Sequence, residues 1–210
     1  MRINPNSSIR SGYSYEDLFV LRLCIDWLRN PDKYSEIKIQ FVPVDLGIKG
    51  FALDDVTATR KNGSVEYYQI KHKQNPESDF WDSDELINKG LLKWMKSFFA
   101  LKENNRICSL ITNGQLDIIL KKSFKDNHFN LEKIKTHNAD LVLKLEEQGY
   151  SQLLLKSFFD NFNFKFNQPS KNSFEEELRQ VLYKDLKVTK AGVDSLGTWL
   201  LFLDRLKLEY

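Results

Sequence analysis

Two short stretches carry side chains that could share a reaction. Asp54-Asp55 comes first and Gln69-Ile70-Lys71 follows it. Between them, Lys61-Asn62-Gly63-Ser64 is a strong hairpin turn signal. A turn centred there pairs residues whose numbers sum to about 125, so Asp55 stands opposite about residue 70, within one step of both Gln69 and Lys71. Side chains alternate along a strand, so Gln69 and Lys71 share a face. A carboxylate, an amide oxygen and an ammonium converge on one end of a hairpin.

That group suits metal-assisted hydrolysis of a phosphodiester. Magnesium takes hard oxygen ligands and keeps several waters, and manganese is an alternative. Asp55 would be the main anchor. Gln69 offers a side-chain carbonyl and Ile70 a main-chain carbonyl. Lys71 would orient or help deprotonate the attacking water and offset charge building on the phosphate. The competing reading is an exposed hairpin face with a cross-strand Asp–Lys pair, worth roughly a few tenths of a kcal/mol. Acid-or-Gln, any residue, Lys also occurs at Glu36-Ile37-Lys38 and Asp185-Leu186-Lys187. Only the match at Gln69 has an Asp pair on the preceding strand of a hairpin.

The elements that must position these groups follow from periodicity. Leu18, Phe19, Leu21, Leu23, Ile25, Trp27 and Leu28 predict a helix over residues 15–29, stopped by Asn30-Pro31, behind a polar tail. Glu16 lies in its first turn. It either aims at the metal or simply complements the helix dipole. Residues 36–73 read as a three-stranded antiparallel meander. Asp82 or Ser83 caps a helix over 84–102, and 107–112 is a short apolar strand closed by Asn113-Gly114. Strand, helix, strand implies a crossover and a partly parallel sheet. Helices are predicted near 130–147, 150–160, 173–186 and 192–207, and 162–166 alternates as a short strand or extended link. The fold class is α/β: helix, three-stranded antiparallel meander, helix, strand, then an α-helical C-terminal part. Residues 1–125 form the expected core and 126–210 a helical extension packed on it.

Composition narrows the function. The 210 residues are 41% hydrophobic and 29% charged, an ordinary globular balance for one or two domains. No phosphate-cradling glycine loop and no nucleophile elbow is present, and three His and two Cys lack zinc spacing. Cys24 and Cys108 lie in apolar runs and read as small core hydrophobes. The net charge is only +2, yet residues 88–135 hold ten Lys or Arg against four Asp or Glu. Lys89, Lys93 and Lys96 recur at helical spacing, so they line one face, either along a phosphate backbone or simply solvated. His72 and Lys73 extend the strand of Lys71 and could touch phosphates. Tyr67 and Tyr68 read as packing. Phe80, Trp81 and Trp94 read as a core or subunit-contact cluster. Phe158, Phe159, Phe162, Phe164 and Phe166 suggest a packed helical lobe, or a docking surface if exposed. The start is polar and no run approaches 18 apolar residues, so a cytoplasmic protein without a membrane segment is expected.

An Asp on one strand followed by Gln-x-Lys on the next resembles the PD-(D/E)xK nuclease superfamily, in its Mrr-like form. Gly12-Tyr13-Ser14-Tyr15-Glu16-Asp17-Leu18, Leu53-Asp54-Asp55-Val56 and Tyr68-Gln69-Ile70-Lys71-His72-Lys73 together resemble one anti-phage group. These are the N-terminal double-stranded DNA endonuclease domains of CD-NTase-associated effectors and of STAND, NACHT-like defence NTPases. Phe80-Trp81, Lys89-Gly90-Leu91-Leu92-Lys93-Trp94 and Thr112-Asn113 also fit, so the resemblance covers roughly residues 12–115. It implies that Asp55, Gln69 and Lys71 form the active site, with Glu16 at a helix position where the family often places an acid or amide. An Asp just before a β-branched residue favours Asp55 over Asp54 as the ligand. Gln69 departs from the parent pattern's acid, so metal would load fully only with DNA present. The resemblance implies a magnesium-dependent effector acting on double-stranded DNA. Its homo-oligomerisation would be switched on by a fused or bound sensor, a STAND NTPase or a nucleotide-sensing module. A module on the same fold that binds nucleic acid or assembles without cutting is the alternative.

Overall fold

The computed structural model describes residues 5–43, 46 and 48–184. Helix α1 (Pro5–Arg29) starts well ahead of the expected residue 15, through the stretch read as a polar tail. Its apolar repeat buries Tyr15, Leu18, Phe19, Leu23 and Ile25. Three antiparallel strands follow: β1 (Tyr34–Ile39), β2 (Val56–Arg60) and β3 (Val65–Lys71). The β2–β3 turn falls on Asn62-Gly63. Gly63 sits at φ 83°, where a side chain would be strained, and the Asn62 carboxamide accepts from the Ser64 N–H at 3.0 Å. Val56 pairs with Tyr68 and Thr59 with Val65, one residue off the pairing expected from the turn, which projects Asp55 opposite Gln69.

The crossover runs through α2 (Ser83–Lys89) and α3 (Leu91–Ala100) to β4 (Arg106–Thr112), which lies parallel to β3. Asp82 caps α2 by accepting from the Glu85 N–H at 2.7 Å. The single helix expected over 84–102 is broken at Gly90, whose φ of 137° cannot continue a helix. A β-carbon there would lie 3.0 Å from the Trp94 indole nitrogen. The break lets the chain turn tightly over that ring.

After β4 come α4 (Ile118–Lys121), a hairpin of β5 (Phe124–Lys125) and β6 (His128–Phe129), then α5 (Leu131–His137), α6 (Ala139–Glu147) and α7 (Gln152–Asn161). The helix expected near 130–147 is two helices, because Asn138 turns out of helical geometry and caps the second. Strand β7 (Phe162–Lys165) pairs parallel with β4 and completes a five-stranded sheet ordered β1-β2-β3-β4-β7. Helix α8 (Lys171–Lys184) follows. Residues after 125 therefore supply a sheet strand and are no purely helical addition. The helix expected over 192–207 lies outside the described residues.

Strand alternation sorts the core into two layers. Tyr67, Cys108, Leu110, Phe162 and Phe164 face α2, α3 and α5–α7. Val56, Ala58, Tyr68, Ile70 and Ile111 face α1 and α8. The phenylalanine cluster is interior: Phe158 and Phe162 stack with ring centroids 4.7 Å apart, and all five rings are buried. Cys108 is buried and reduced, its thiol pushed up to about 12 by desolvation. No helix among the described residues is long and apolar enough to cross a membrane.

Candidate active site

The site begins where two ladders end at different places. Pairing of β3 with β2 stops at Tyr68↔Val56, while pairing with β4 continues to Lys71↔Thr112. The backbone of β3 beyond Tyr68 is thus open on its β2 side. Asp55, the residue before β2, fills that gap with its side chain. Its Oδ2 accepts from the Ile70 N–H at 2.6 Å and also from the Gln69 Nε2. Its own main-chain carbonyl accepts from the Gln40 N–H at 2.9 Å, which ties it to the end of β1. A strand residue turns its N–H and its carbonyl to the same edge, so the Ile70 carbonyl also points into this gap.

Gln69 and Lys71 share the sheet face of Tyr67, as alternation requires. Gln69 is buried, 3% exposed, whereas Lys71 is partly exposed. Burial holds the Asp55 carboxyl above its usual range. The Lys71 ammonium and the Ile70 and Gln69 N–H donors pull it back down, and the neighbouring Asp54 adds to the rise. Burial raises Asp54 as well, against its own backbone hydrogen bond and Lys71. Both carboxylates therefore lie within the field of Lys71. Asp55 is the one locked onto the strand.

The oxygen donors gathered here match a divalent metal of the hard class. One locked carboxylate, a second beside it, a main-chain carbonyl and an amide are hard oxygen donors. That suits magnesium, which binds through one or two carboxylates and retains waters. Among the described residues no three His, Cys, Asp or Glu side chains converge as a metal-holding group, so a metal here would rest on the two neighbouring aspartates, the neutral oxygen donors and water.

Other residues expected at the site fall in different places. Glu16 is partly buried on α1, which packs on the opposite sheet face, where the Phe19 and Tyr68 rings meet at 5.0 Å. The Tyr15 ring lies 4.9 Å from His72, so this turn of α1 reaches the same end of the sheet. Asp17, one residue on, is the acid that α1 carries into the interior. His72 is half-buried against Tyr15, and desolvation and then Lys171 lower its basicity. It lines a cleft of about 290 Å³ with Asn113 and Lys171.

Lys73 corrects the expectation that it contacts phosphate. It is 5% exposed. Its ammonium donates to Asp79 at 2.6 Å, to Glu85 at 3.2 Å and to the Phe80 carbonyl at 3.2 Å, and sits 4.8 Å from the Trp81 ring centre. These contacts pin the 74–82 loop and commit the ammonium to the fold. Lys89 is exposed, within 3.9 Å of Glu85, and shares with Lys71 a groove of about 350 Å³. Lys93 is exposed on α3, outside that groove. The turn at Gly90 separates it from Lys89, so the lysines form no continuous stripe.

Sequence reasoning missed Asn113. Its side chain accepts from the Lys73 N–H at 2.7 Å and donates to the Lys73 carbonyl at 2.8 Å, extending the β3–β4 ladder past its last backbone pair. Gly114 follows because a β-carbon there would run into the Trp81 indole and the Lys73 stem. The Asn-Gly pair carried a signal, but it was that of a turn.

No family model matches the chain, and no curated protein does. Among solved structures, it is similar to the Cap4 SAVED/CARF-domain-containing receptor of Acinetobacter baumannii. That match covers 91% of this chain and 41% of the receptor, at 15% identity and a TM-score of 0.49. The same receptor with the cyclic trinucleotide 2'3'3'-cAAA matches over 91% and 40%, with the same identity and score. The MspJI restriction endonuclease, in complex with a 27-mer oligonucleotide, matches over 90% and 31%, at 10% identity and a TM-score of 0.38. The chain spans about two-fifths of the Cap4 receptor's length. At these values the likeness carries no argument about chemistry, which rests on the residues above.

Proposed function

We propose that this chain is a magnesium-dependent DNA endonuclease domain, an effector in anti-phage defence switched on by oligomerisation. The observation that carries the reading is the grip of Asp55 on Gln69 and on the Ile70 N–H, with Lys71 on the same strand face. Asp55, the Ile70 carbonyl and the Gln69 amide would hold the metal, with Asp54 as a further acid. A bound magnesium ion would supply charge that acidifies water and neutralises phosphoryl oxygens. Lys71 would present its ammonium to the scissile phosphate and hydrogen-bond the attacking water. Lys89, lining the same groove, would hold the phosphate backbone in register. Cutting both strands of a duplex needs two such sites, so pairing of domains by a sensor, fused or separate, would control the activity.

The test is nicking of a plasmid with and without magnesium, by wild type and Lys71→Ala, each also as a forced-dimer fusion. Magnesium-dependent cutting lost in Lys71→Ala supports the reading. Absence of cutting in the dimerised protein rejects it. A second reading, a nuclease-like module that binds nucleic acid without cutting, is favoured by one detail. Gln69 turns its N–H, not its oxygen, toward Asp55, so its amide must rotate before it can ligate. Under that reading Asp55→Ala and Lys71→Ala leave function unchanged.

A further inference from the structure

The sheet face opposite the candidate active site holds a cavity of about 480 Å³ between α1, α8 and the strands. That is the size of a small-molecule site. Its walls are partly apolar, from Phe19, Leu23 and Phe174. Among the described residues that line it, Arg22, Arg29, Lys33, Arg60 and Lys165 stand against Asp26, Glu66 and Glu177.

Two of the acids are already committed. Lys33 pairs with Asp26, and Arg60 pairs with Glu66, which also accepts from the Tyr68 hydroxyl at 2.7 Å. Arg22 and Lys165 have no ion-pair partner among the described residues, and neither has Glu177. The Arg22 guanidinium lies 5.6 Å from the Phe174 ring centre. Lys165 sits on β7 with its ammonium partly withdrawn from water. Desolvation makes that ammonium less basic, Glu66 opposes the effect, and Arg22, Lys33 and Arg60 add to it. Folding an ammonium without an ion pair among three other cations costs free energy that Glu66, already committed to Arg60 and Tyr68, offsets only in part. An anion would return it, since it meets a flat guanidinium and a point ammonium, the pair of donors suited to phosphoryl oxygens.

We propose that this cavity is a binding site for a small phosphorylated molecule, held by Arg22 and Lys165. The site is separate from the Asp55–Lys71 group, which lies across the sheet. Among the described residues Glu177 is the uncommitted acid in the wall, and its charge opposes an anion. A cavity of about 480 Å³ encloses a small molecule and not a duplex, so the proposed ligand is a free phosphate compound.

The test is calorimetric titration of the full chain with inorganic pyrophosphate, with a short DNA duplex as competitor. Saturable binding is expected in wild type. Lys165→Met and Arg22→Gln should each weaken it at least tenfold, Glu177→Gln should tighten it, and Lys71→Ala should leave it unchanged. Lys165→Met removes an unpaired charge, so its melting temperature should not fall, which separates loss of the site from loss of the fold. Arg22→Gln, on a different element, is the independent check. The proposal is overturned by no binding at millimolar pyrophosphate, by equal binding in both cation variants, or by displacement of pyrophosphate by the duplex.

Discussion

Replacing Gln69 by Glu restores the acid of the parent nuclease pattern and tests the site's geometry and its chemistry together. The Gln69 amide donates to Asp55 Oδ2 inside a buried position. Gln69→Glu removes that donor and sets a second carboxylate against the first. Two unit charges about 4 Å apart repel by about 4 kcal/mol at an effective dielectric of ~20. The introduced carboxyl can escape by taking up a proton. From an ordinary value of about 4.3, that costs about 3.7 kcal/mol at pH 7 and about 1 kcal/mol at pH 5. Without metal, the variant should therefore be destabilised by about 3–4 kcal/mol at pH 7 and by only about 1 kcal/mol at pH 5. In a chain this long the neutral-pH loss lowers the melting temperature by roughly 10 °C. Millimolar magnesium should recover most of it, because the ion takes the place of the lost N–H as the partner of Asp55. The assay is thermal melting at both pH values, with magnesium or with chelator. An equal loss at pH 5 and pH 7 refutes the electrostatic reasoning. A loss that magnesium leaves untouched refutes the metal reading.

Three further outcomes follow from the same contacts. Asp55 has a raised folded pKa, so its contribution is full below the unfolded value and declines as pH climbs through the folded one, above about pH 4. Asp55→Asn should abolish cutting yet leave the metal-free protein at least as stable at pH 7, with a flatter profile in denaturant titrations from pH 4 to 7. A variant weaker than wild type by more than about 1 kcal/mol at pH 7 would mean that the carboxylate's role as acceptor dominates. Lys73→Met should cost about 1–3 kcal/mol through its lost charged hydrogen bonds while leaving the salt dependence of DNA binding unchanged. A slope reduced by about one unit would show that Lys73 touches a phosphate after all. Gly114→Ala should cost about 1–3 kcal/mol, measured by denaturant unfolding, because its β-carbon enters the Trp81 indole.

What could be read from residues alone was local. The Asn62-Gly63 turn set the hairpin but its register only to within one residue, and that one residue decides whether Asp55 shares a face with Gln69 and Lys71. The apolar repeat of α1 was visible from Tyr15 onward, but its first turns are polar and carry no periodicity. Gly90 hid for a different reason. One glycine in an apolar repeat is compatible with a continuous helix, and only the approach of the Trp94 ring shows why the chain turns there. Lys73 looked exposed because its partners Asp79, Trp81 and Glu85 lie on the next segment, and no pattern within β3 announces them. β7 was legible as an alternating stretch. Its place beside β4 is a parallel pairing across some fifty residues, which local periodicity does not encode.

The site owes its existence to the unequal lengths of neighbouring strands. β3, β4 and β7 run parallel, so their carboxyl ends gather at one end of the sheet, where open α/β sheets leave crevices. Had β2 continued antiparallel past Val56, its backbone would have consumed the Ile70 N–H and carbonyl, and no side chain would be needed there. Because it stops, Asp55 must finish the ladder with a carboxylate, and a carboxylate finishing a ladder keeps an oxygen's worth of charge at the strand end. On the other side, Asn113 finishes the β3–β4 ladder with an amide, which donates and accepts at once and leaves no charge behind. The two ends are closed by the same device with different chemistry, and only the Asp55 side lies beside an uncommitted lysine. That asymmetry accounts for why Lys71 stays available for a reaction while Lys73, two residues further along the same face, is locked into the fold.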